Sequence, residues 1–365
     1  MTTRTLRILG AIALIALALA WWLTRSSSNS AAAEGGKAGA FLAGYREKVN
    51  DVARLELDDG ETPLRLEKRG AGWVDTGRGG YPVKIEEVKR LLLALNSLEK
   101  KEAKTVKPEL HGELQLALAG EAEERGKVLR LWTAGAEKPE WEIVIGKSKW
   151  SPVRGLYVRL LNENQCWFSP GDLQLPYTPT AWFEKEIVNV NQLDVARVVL
   201  VRGGETFTIT RPDGDTPWTL AELPPGRTLH ENTPFSSLAN TLGFLNFDDV
   251  APATDERFAG DPDLVAEFVC FNGASIRGTG WKVGDSMWMR FEASPPTDPT
   301  PPPDGPRGPS AESIASWSAG FAGWCFEMSA WKVKALQQPL EDWLAPLPAP
   351  DADPETAPEP ANDQE

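Results

Sequence analysis

Apolar and polar residues alternate along residues 52–57 and again along 63–68, with the run Asp58-Asp59-Gly60 between the two segments. Alternation on both sides of a short Asp/Gly turn predicts a β-hairpin. A second turn follows, and Trp73 begins a third predicted strand. The spacing of apolar residues then changes to steps of three and four, which predicts an amphipathic helix. Its apolar face would consist of Ile85, Val88, Leu92 and Leu95.

This order of elements recurs in the second half of the chain, where Asp51-Val52-Ala53-Arg54 returns as Asp194-Val195-Ala196-Arg197. Alternating segments at 195–201 and 206–210 again predict a hairpin, and Trp218 takes the place of Trp73. A second helix follows, with Asn232 or Thr233 as its expected cap. Its predicted apolar face comprises Phe235, Leu238, Leu242 and Leu245. An internal repeat of this size predicts one structural unit present twice.

Further strands are expected after each helix, and the two halves close on similar phrases. In the first half the predicted strands are 114–118, 128–132, 141–146 and 156–161. In the second half they are 265–271, 281–283 and 287–293. The phrase Gln165-Cys166-Trp167-Phe168, with Trp182 downstream, is matched by Trp324-Cys325-Phe326 with Trp343 downstream. Hairpin-linked strands with few helices predict an α+β fold of two tandem antiparallel units, at 47–190 and 191–346.

Three segments are expected to lie outside this folded part. The Pro-rich segment 294–310 predicts an exposed loop in the second unit, and 25–46 a flexible linker. Residues 347–365 are acidic and rich in Pro and Ala, which predicts a disordered tail.

The apolar run 8–24 is long enough for a transmembrane helix, and Trp21 and Trp22 lie at its outer end. Arg4 and Arg7 precede it, so residues 1–7 should stay cytoplasmic and the bulk of the chain should face the periplasm from the inner membrane. The alternative is a cleaved signal peptide, with a small-residue cleavage site at 31–33.

Charge and motifs give little indication of catalysis. The formal net charge is −14, which argues against a nucleic-acid partner. His111 and His230 lie in polar segments and are expected at the surface, while Cys166, Cys270 and Cys325 lie among apolar or aromatic residues and are expected to be buried, unreactive thiols. Neither a metal-binding spacing nor a nucleotide-binding loop nor an esterase nucleophile motif is present. The sequence therefore predicts a protein that is not an enzyme, with no catalytic, cofactor or metal residues.

Fifteen tryptophans invite a binding hypothesis, because exposed aromatic rings can stack on sugars or partner residues. Tryptophans that recur in both halves are best explained as framework residues. Trp150, Trp288 and Trp317 are unmatched, and we expect them to be candidates for ligand or partner contacts.

The chain resembles a bacterial family of single-pass, membrane-anchored proteins classed as a domain of unknown function. The resemblance rests on DVARLEL and LRLEKRGAGWV within 51–74, GLYVRL at 155–160, TAWFEKEI at 180–187 and the second hairpin from 194 to 220. It covers most of residues 45–250. The genes of that family often lie beside an ABC-type transport system of the gliding-motility type. The resemblance thus implies a non-enzymatic accessory or scaffold subunit that contacts a transporter permease or ATPase, or other envelope proteins. The alternative is an independent envelope module that binds glycan or peptidoglycan.

Overall fold

The computed structural model of this protein describes residues 39–121, 123–296 and 307–346. The predicted anchor at 8–24, most of the predicted linker, most of the Pro-rich loop and the acidic tail lie outside the described residues. Within the described ranges no helix is both long enough and apolar enough to cross a membrane. The chain divides into two compact units, and the division falls between Phe183 and Glu184.

The first unit contains a nine-stranded antiparallel sheet, a helix α1 at Tyr45–Lys48 and a helix α2 at Ile85–Asn96. The strand order is β4-β3-β2-β1-β6-β7-β8-β9-β5. The strands are β1 Val52–Asp58, β2 Leu64–Arg69, β3 Gly72–Asp75, β4 Tyr81–Val83, β5 Glu102–Ala103, β6 Lys127–Thr133, β7 Trp141–Lys149, β8 Gly155–Leu160 and β9 Trp167–Pro170.

The second unit also contains a nine-stranded antiparallel sheet, with α3 at Phe235–Ala239, α4 at Ala311–Phe321 and α5 at Ala330–Gln337. The strand order is β10-β14-β18-β17-β16-β15-β11-β12-β13. The strands are β10 Glu186–Val188, β11 Val195–Arg202, β12 Glu205–Thr210, β13 Thr219–Leu220, β14 Leu245–Pro252, β15 Leu264–Cys270, β16 Ser275–Val283, β17 Ser286–Ser294 and β18 Trp324–Met328.

The two sheets share an eight-strand order. Read from β3, the first sheet runs β3-β2-β1-β6-β7-β8-β9-β5, and the second runs β13-β12-β11-β15-β16-β17-β18-β14. Each position is filled by the strand that comes at the same point in its own half of the chain. The architecture is therefore α+β, mostly β, as the alternating pattern predicted. Strand β10, which the sequence placed in the first unit, pairs with β14, so the second unit begins earlier than residue 191.

The repeated Asp-Val-Ala-Arg segment carries a β-bulge in both units. In β1, Val52 lies opposite Thr133 and Arg54 lies opposite Trp132, so one extra residue, Ala53, is accommodated. The corresponding register shift in β11 falls between Val195 and Arg197. A bulge bends its strand and increases the local twist. The repeated segment thus encodes the same irregularity in the backbone twice.

The strands that flank β1 are joined by a network of charges centred on Glu56. One carboxylate oxygen of Glu56 lies 3.2 Å from Nε of Arg65 on β2, and the other lies 2.8 Å from Arg130 on β6. The corresponding residue of β11 is Val199, which lies between Thr208 and Glu267. The two units therefore keep the same pairing but differ in the charges that cross it.

Both faces of the first sheet bury apolar side chains. Successive residues of a strand point to opposite faces, and both Val128 and its neighbour Leu129 are buried, as are both Ile143 and Val144. Val128 and Val144 pack with Leu116 and Cys166 in one apolar cluster, so Leu116 covers the face of the sheet to which the two valines point. A corresponding cluster in the second unit joins Ala251, Phe258, Trp281, Trp288 and Cys325.

The position of Leu116 explains why the predicted strand at 114–118 is wrong. The segment forms a 3-10 helix at Gly112–Leu114, and Gln115 has a left-handed φ of 55°. Its alternating apolar residues serve to bury Leu116 rather than to extend the sheet. Arg159 fixes the segment by donating from Nε to the carbonyl oxygen of Leu116 at 2.9 Å.

The second predicted helix is shorter than its apolar spacing indicates. Helix α3 ends at Ala239, a 3-10 helix covers Asn240–Leu242, and Leu245 begins β14 instead of closing the helix. The expected cap by Asn232 or Thr233 is also wrong, because Pro234 is the cap and makes no side-chain hydrogen bond. Gly243 takes an extended conformation that ends the helical path.

Two tryptophans close equivalent 3-10 helices, as their matched positions in the sequence predicted. Trp182 ends Pro179–Trp182 after β9, and Trp343 ends Leu340–Trp343 after β18. Both side chains are buried. Trp73 is buried as well, whereas its counterpart Trp218 is half-buried beneath the guanidinium of Arg211, 4.3 Å from the ring centroid. These tryptophans are framework residues in both units.

Candidate functional site

The cysteines lie in the interior, as the sequence predicted. All three are free and buried, and burial raises the pKa of Cys166 and of Cys325 to about 11 and that of Cys270 to about 12. A thiol with such a pKa is almost fully protonated at neutral pH and is a poor nucleophile. In the described ranges no group of three or more His, Cys, Asp or Glu side chains is placed to hold a metal ion.

The two histidines differ from each other. His230 is exposed, as expected, and its Nδ1 accepts a hydrogen bond from the backbone N–H of Asn232 at 3.1 Å. The prediction that His111 lies at the surface is wrong, since its side chain is buried and Nε2 lies 3.0 Å from the carbonyl oxygen of Asn164. The polar segment around His111 did not reveal this burial, because the ring joins two loops that are distant in sequence, the one before Leu116 and the one before Cys166. His111 is thus a structural residue.

The first unit contains an open groove of about 700 Å³. Its walls come from helix α2, the start of β6, the end of β7, the turn between β7 and β8, and the segment that follows β9. We call it the first groove. It brings together Arg90, Arg125, Lys127, Trp150, Arg154, Asp172 and Tyr177, among other residues.

Two exposed aromatic side chains line the first groove. Trp150, in the turn between β7 and β8, is 69% exposed, and Tyr177 is 97% exposed. The guanidinium of Arg154 lies 4.4 Å from the centroid of the Trp150 ring and also forms an ion pair with Asp172 at 2.7 Å. Aromatic rings and arginines of this kind are typical of binding surfaces. The structure therefore places Trp150, which the sequence singled out, where it can contact a ligand or partner.

The charge of the first groove is predominantly positive. Arg90 forms an ion pair with Glu87, as Arg154 does with Asp172. Lys127 donates from Nζ to the carbonyl oxygen of Pro176 at 3.3 Å. Four basic and two acidic side chains line the groove in all.

The second unit also contains a groove, of about 670 Å³. Like the first, it is bordered by a hairpin turn, here between β16 and β17, and by the segment that follows the matching strand, here β18. We call it the second groove. It also has an exposed tryptophan, Trp331, which is 71% exposed. Its charges are reversed, with one basic residue, Lys334, against Asp248, Asp285 and Glu327.

The other two tryptophans predicted to make contacts do not line either groove. Trp288 is 6% exposed, so its expected exposure is wrong: it lies in β17 and packs between Phe258, at 5.6 Å between ring centroids, and Arg257, at 4.6 Å. Trp317 is half-buried on helix α4. The lack of a counterpart in the other half of the chain therefore did not distinguish exposed tryptophans from buried ones.

Sequence reasoning missed several groove residues, above all Trp331 and Tyr177. Trp331 belongs to a helix in which Lys332, Val333, Ala335 and Leu336 are the buried residues. The ammonium of Lys332 is bound by the carbonyl oxygens of Asn240 and Gly243, so a charged residue lies inside and an aromatic one outside. A hydrophobicity pattern predicts the reverse, with Trp331 buried and Lys332 exposed.

A family model described as a domain of unknown function, DUF4340, matches residues 73–260, just over half of the chain. All residues that line the first groove fall within this range, whereas of the second groove only Asp248 does. Searches of curated proteins and of solved structures returned no match.

Proposed function

This chain belongs to the DUF4340 family, and from that premise we propose that it is a non-catalytic binding subunit of a bacterial envelope complex. The proposed complex is an ABC-type transport or gliding-motility-like system. Residues 8–24 would anchor the chain in the inner membrane with its bulk in the periplasm, as their length, apolar character and preceding arginines indicate. The first groove would then be the surface that holds a permease, an ATPase-associated subunit or another envelope protein.

The observation that carries this proposal is the set of side chains around the first groove. Trp, Tyr and Arg are the residues most enriched among those that dominate protein–protein affinity. Trp150, Tyr177 and Arg154 occur together there, and both aromatic rings are largely exposed. Contiguous exposed apolar surface with a polar rim often marks a protein–protein interaction site. The groove also lies within the part of the chain that the family model covers.

Co-purification from detergent-solubilised membranes tests the proposal. The wild-type chain should recover permease and ATPase subunits, identified by mass spectrometry. Replacing both Trp150 and Tyr177 by Ala should reduce this recovery at least tenfold, because each residue that dominates an interface contributes about 2 kcal/mol or more. Leu93→Ala is the matched control, since Leu93 is 65% exposed on helix α2 and does not line the groove. Recovery of the wild-type chain without transporter subunits would refute the proposal.

A second function, binding of glycan or peptidoglycan, is favoured by the same exposed rings, because sugar faces stack on Trp and Tyr. The Arg154 guanidinium already covers one face of Trp150, which leaves less of that ring for a sugar. Co-sedimentation with purified peptidoglycan separates the two functions. Retention of the wild-type chain, and its loss in Trp150→Ala, would support the glycan-binding function.

A further inference from the structure

The segment 172–177 borders the first groove and has an unusual backbone. It lies between the end of β9 at Pro170 and the 3-10 helix Pro179–Trp182, and it belongs to neither a strand nor a helix. Among the described residues no backbone–backbone hydrogen bond involves it. The carbonyl oxygen of Pro176 accepts only from the Lys127 side chain. The segment therefore offers unpaired backbone donors and acceptors beside the groove.

Exposure alternates over residues 172–175 of this segment as it does along a strand, and the alternation ends at Pro176, which is buried and is followed by the exposed Tyr177. Asp172 and Gln174 are exposed, whereas Leu173 and Leu175 are half-buried. Over these four residues the alternation is that of an extended chain with one side resting on the protein. Unpaired backbone groups of an extended segment can pair with a peptide that adds as a further strand. The sheet edges are poorer sites for such addition, since the outermost strands β4, β5, β10 and β13 are only two or three residues long.

Among the described residues, two cations beside the segment have no carboxylate closer than 4.0 Å. Lys127 has the Pro176 carbonyl as its hydrogen-bond partner, and the nearest ion-pair partner of Arg125 is Glu61, at 4.0 Å and 82% exposed. Arg125 and Lys127 are two residues apart, which corresponds to the repeat of side chains on one side of an extended peptide. Carboxylates at alternate positions of a bound strand would complement this spacing and charge.

The second groove lacks both properties. Helix α5 occupies the place of the extended segment, and a helix satisfies its backbone groups internally. The side chains around it are mostly acidic. The two copies of the repeat thus differ at the point where an extended acidic segment would bind.

We infer that the first groove binds an extended acidic peptide segment of a partner protein, which pairs with residues 172–175 and places its carboxylates against Arg125 and Lys127. Trp150 and Tyr177 would contact the apolar side chains of that segment. The inference rests on the proposed function as a partner-binding subunit and specifies the chemistry of the partner. A polysaccharide fits less well, because it has no regular series of backbone amides to pair with the open segment.

Fluorescence anisotropy with the full-length chain in detergent micelles provides the test. The probe is a labelled octapeptide of alternating Glu and Val. It should bind at least tenfold more tightly than the octapeptide of alternating Lys and Val, and than a version N-methylated at every second residue, which keeps the charges but loses backbone donors. Equal binding of the N-methylated peptide, or of an anionic hyaluronate tetrasaccharide, would overturn the inference, as would failure of the acidic peptide to bind.

Charge variants locate the binding site. Arg125→Glu combined with Lys127→Glu should weaken binding of the acidic probe at least tenfold, and Lys127→Gln alone should weaken it less. Lys138→Glu is the control, because Lys138 is exposed in the turn between β6 and β7, at the other end of the strands. Loss of binding in this control equal to that in the double variant would overturn the assignment. If the peptide fails to bind while transporter subunits still co-purify, only this inference fails; peptide binding without co-purification would refute the proposed function instead.

Discussion

Trp343 offers the sharpest test of how the second unit is held together. Its side chain is completely buried, and the rings of Phe207 and Phe235 meet it edge-to-face at 5.4 and 5.3 Å between centroids. Truncation of a buried Trp to Ala typically costs about 3–5 kcal/mol. With a urea dependence of about 2 kcal/mol per M, Trp343→Ala should lower the unfolding midpoint of this unit by about 2 M.

Trp343→Phe should cost much less, for a reason visible in the structure. The indole Nε1 of Trp343 is buried and has no hydrogen-bond partner among the described residues. Phe retains one ring between its aromatic neighbours and loses roughly 1–2 kcal/mol of packing. It also removes an unpaired buried donor, which recovers about 1–3 kcal/mol. We therefore expect the free energy of unfolding to change by between a loss of about 1 kcal/mol and a gain of about 2 kcal/mol.

Pulsed thiol labelling in increasing urea, read by mass spectrometry, measures the units separately. Cys270 and Cys325 report the second unit and Cys166 the first, and all three are buried in the folded chain. Trp150→Ala is the control, since a largely exposed side chain should change stability by no more than about 0.5 kcal/mol. A loss in Trp343→Phe as large as that in Trp343→Ala would refute the reasoning about the unpaired donor.

Two further predictions concern the first unit and the thiols. Gly155→Ala should destabilise the first unit by about 1–3 kcal/mol, because a Cβ there would lie 2.3 Å from the carbonyl oxygen of Ser169. The control Gly72→Ala should be near neutral, because a Cβ at Gly72 meets nothing closer than 3.9 Å. Urea midpoints measured by labelling of Cys166 compare the two variants, and equal losses of stability would contradict the prediction. Because burial raises the pKa of all three thiols, Ellman's reagent at pH 8 should label fewer than one thiol per native chain and all three in denaturant. The reactivity of the native chain should rise as the pH approaches 11. A thiol that reacts at once in the native chain would show that it is not buried.

Local patterns in the sequence predicted most of the framework. The alternation at 52–57 and 63–68 and the helical spacing from Ile85 to Leu95 correspond to observed elements, because each reports one buried face. The matched phrases around Cys166 and Cys325, for which no strand was predicted, lie at the equivalent strands β9 and β18. The alternating pattern at 114–118 failed to predict the structure, because this segment lies across one face of the sheet instead of joining it. The alternation there reflects the burial of single side chains such as Leu116.

The grooves were beyond such patterns for a different reason. Their composition depends on which loops meet, and Arg125, Trp150 and Tyr177 are distant in sequence. Exposure of Trp150 also follows from its place in a hairpin turn, whereas Trp288, equally unmatched in the repeat, lies within a strand. Helix α4 was missed although Ser310 caps it by accepting a hydrogen bond from the N–H of Ser313 at 3.1 Å, because a Pro-rich segment precedes it.

The charges around Glu56 have a consequence for how the chain folds. Because the two halves share strand order and the same bulge, β11 has the shape to compete with β1 for the place between β2 and β6 during folding. Such an exchange would put Val199 where Glu56 stands and leave Arg65 and Arg130 without the carboxylate between them. The charges thereby favour β1 over its duplicate β11 as the strand between β2 and β6. Divergence of a few charges on matched strands thus favours the native pairing within each half of a duplicated chain.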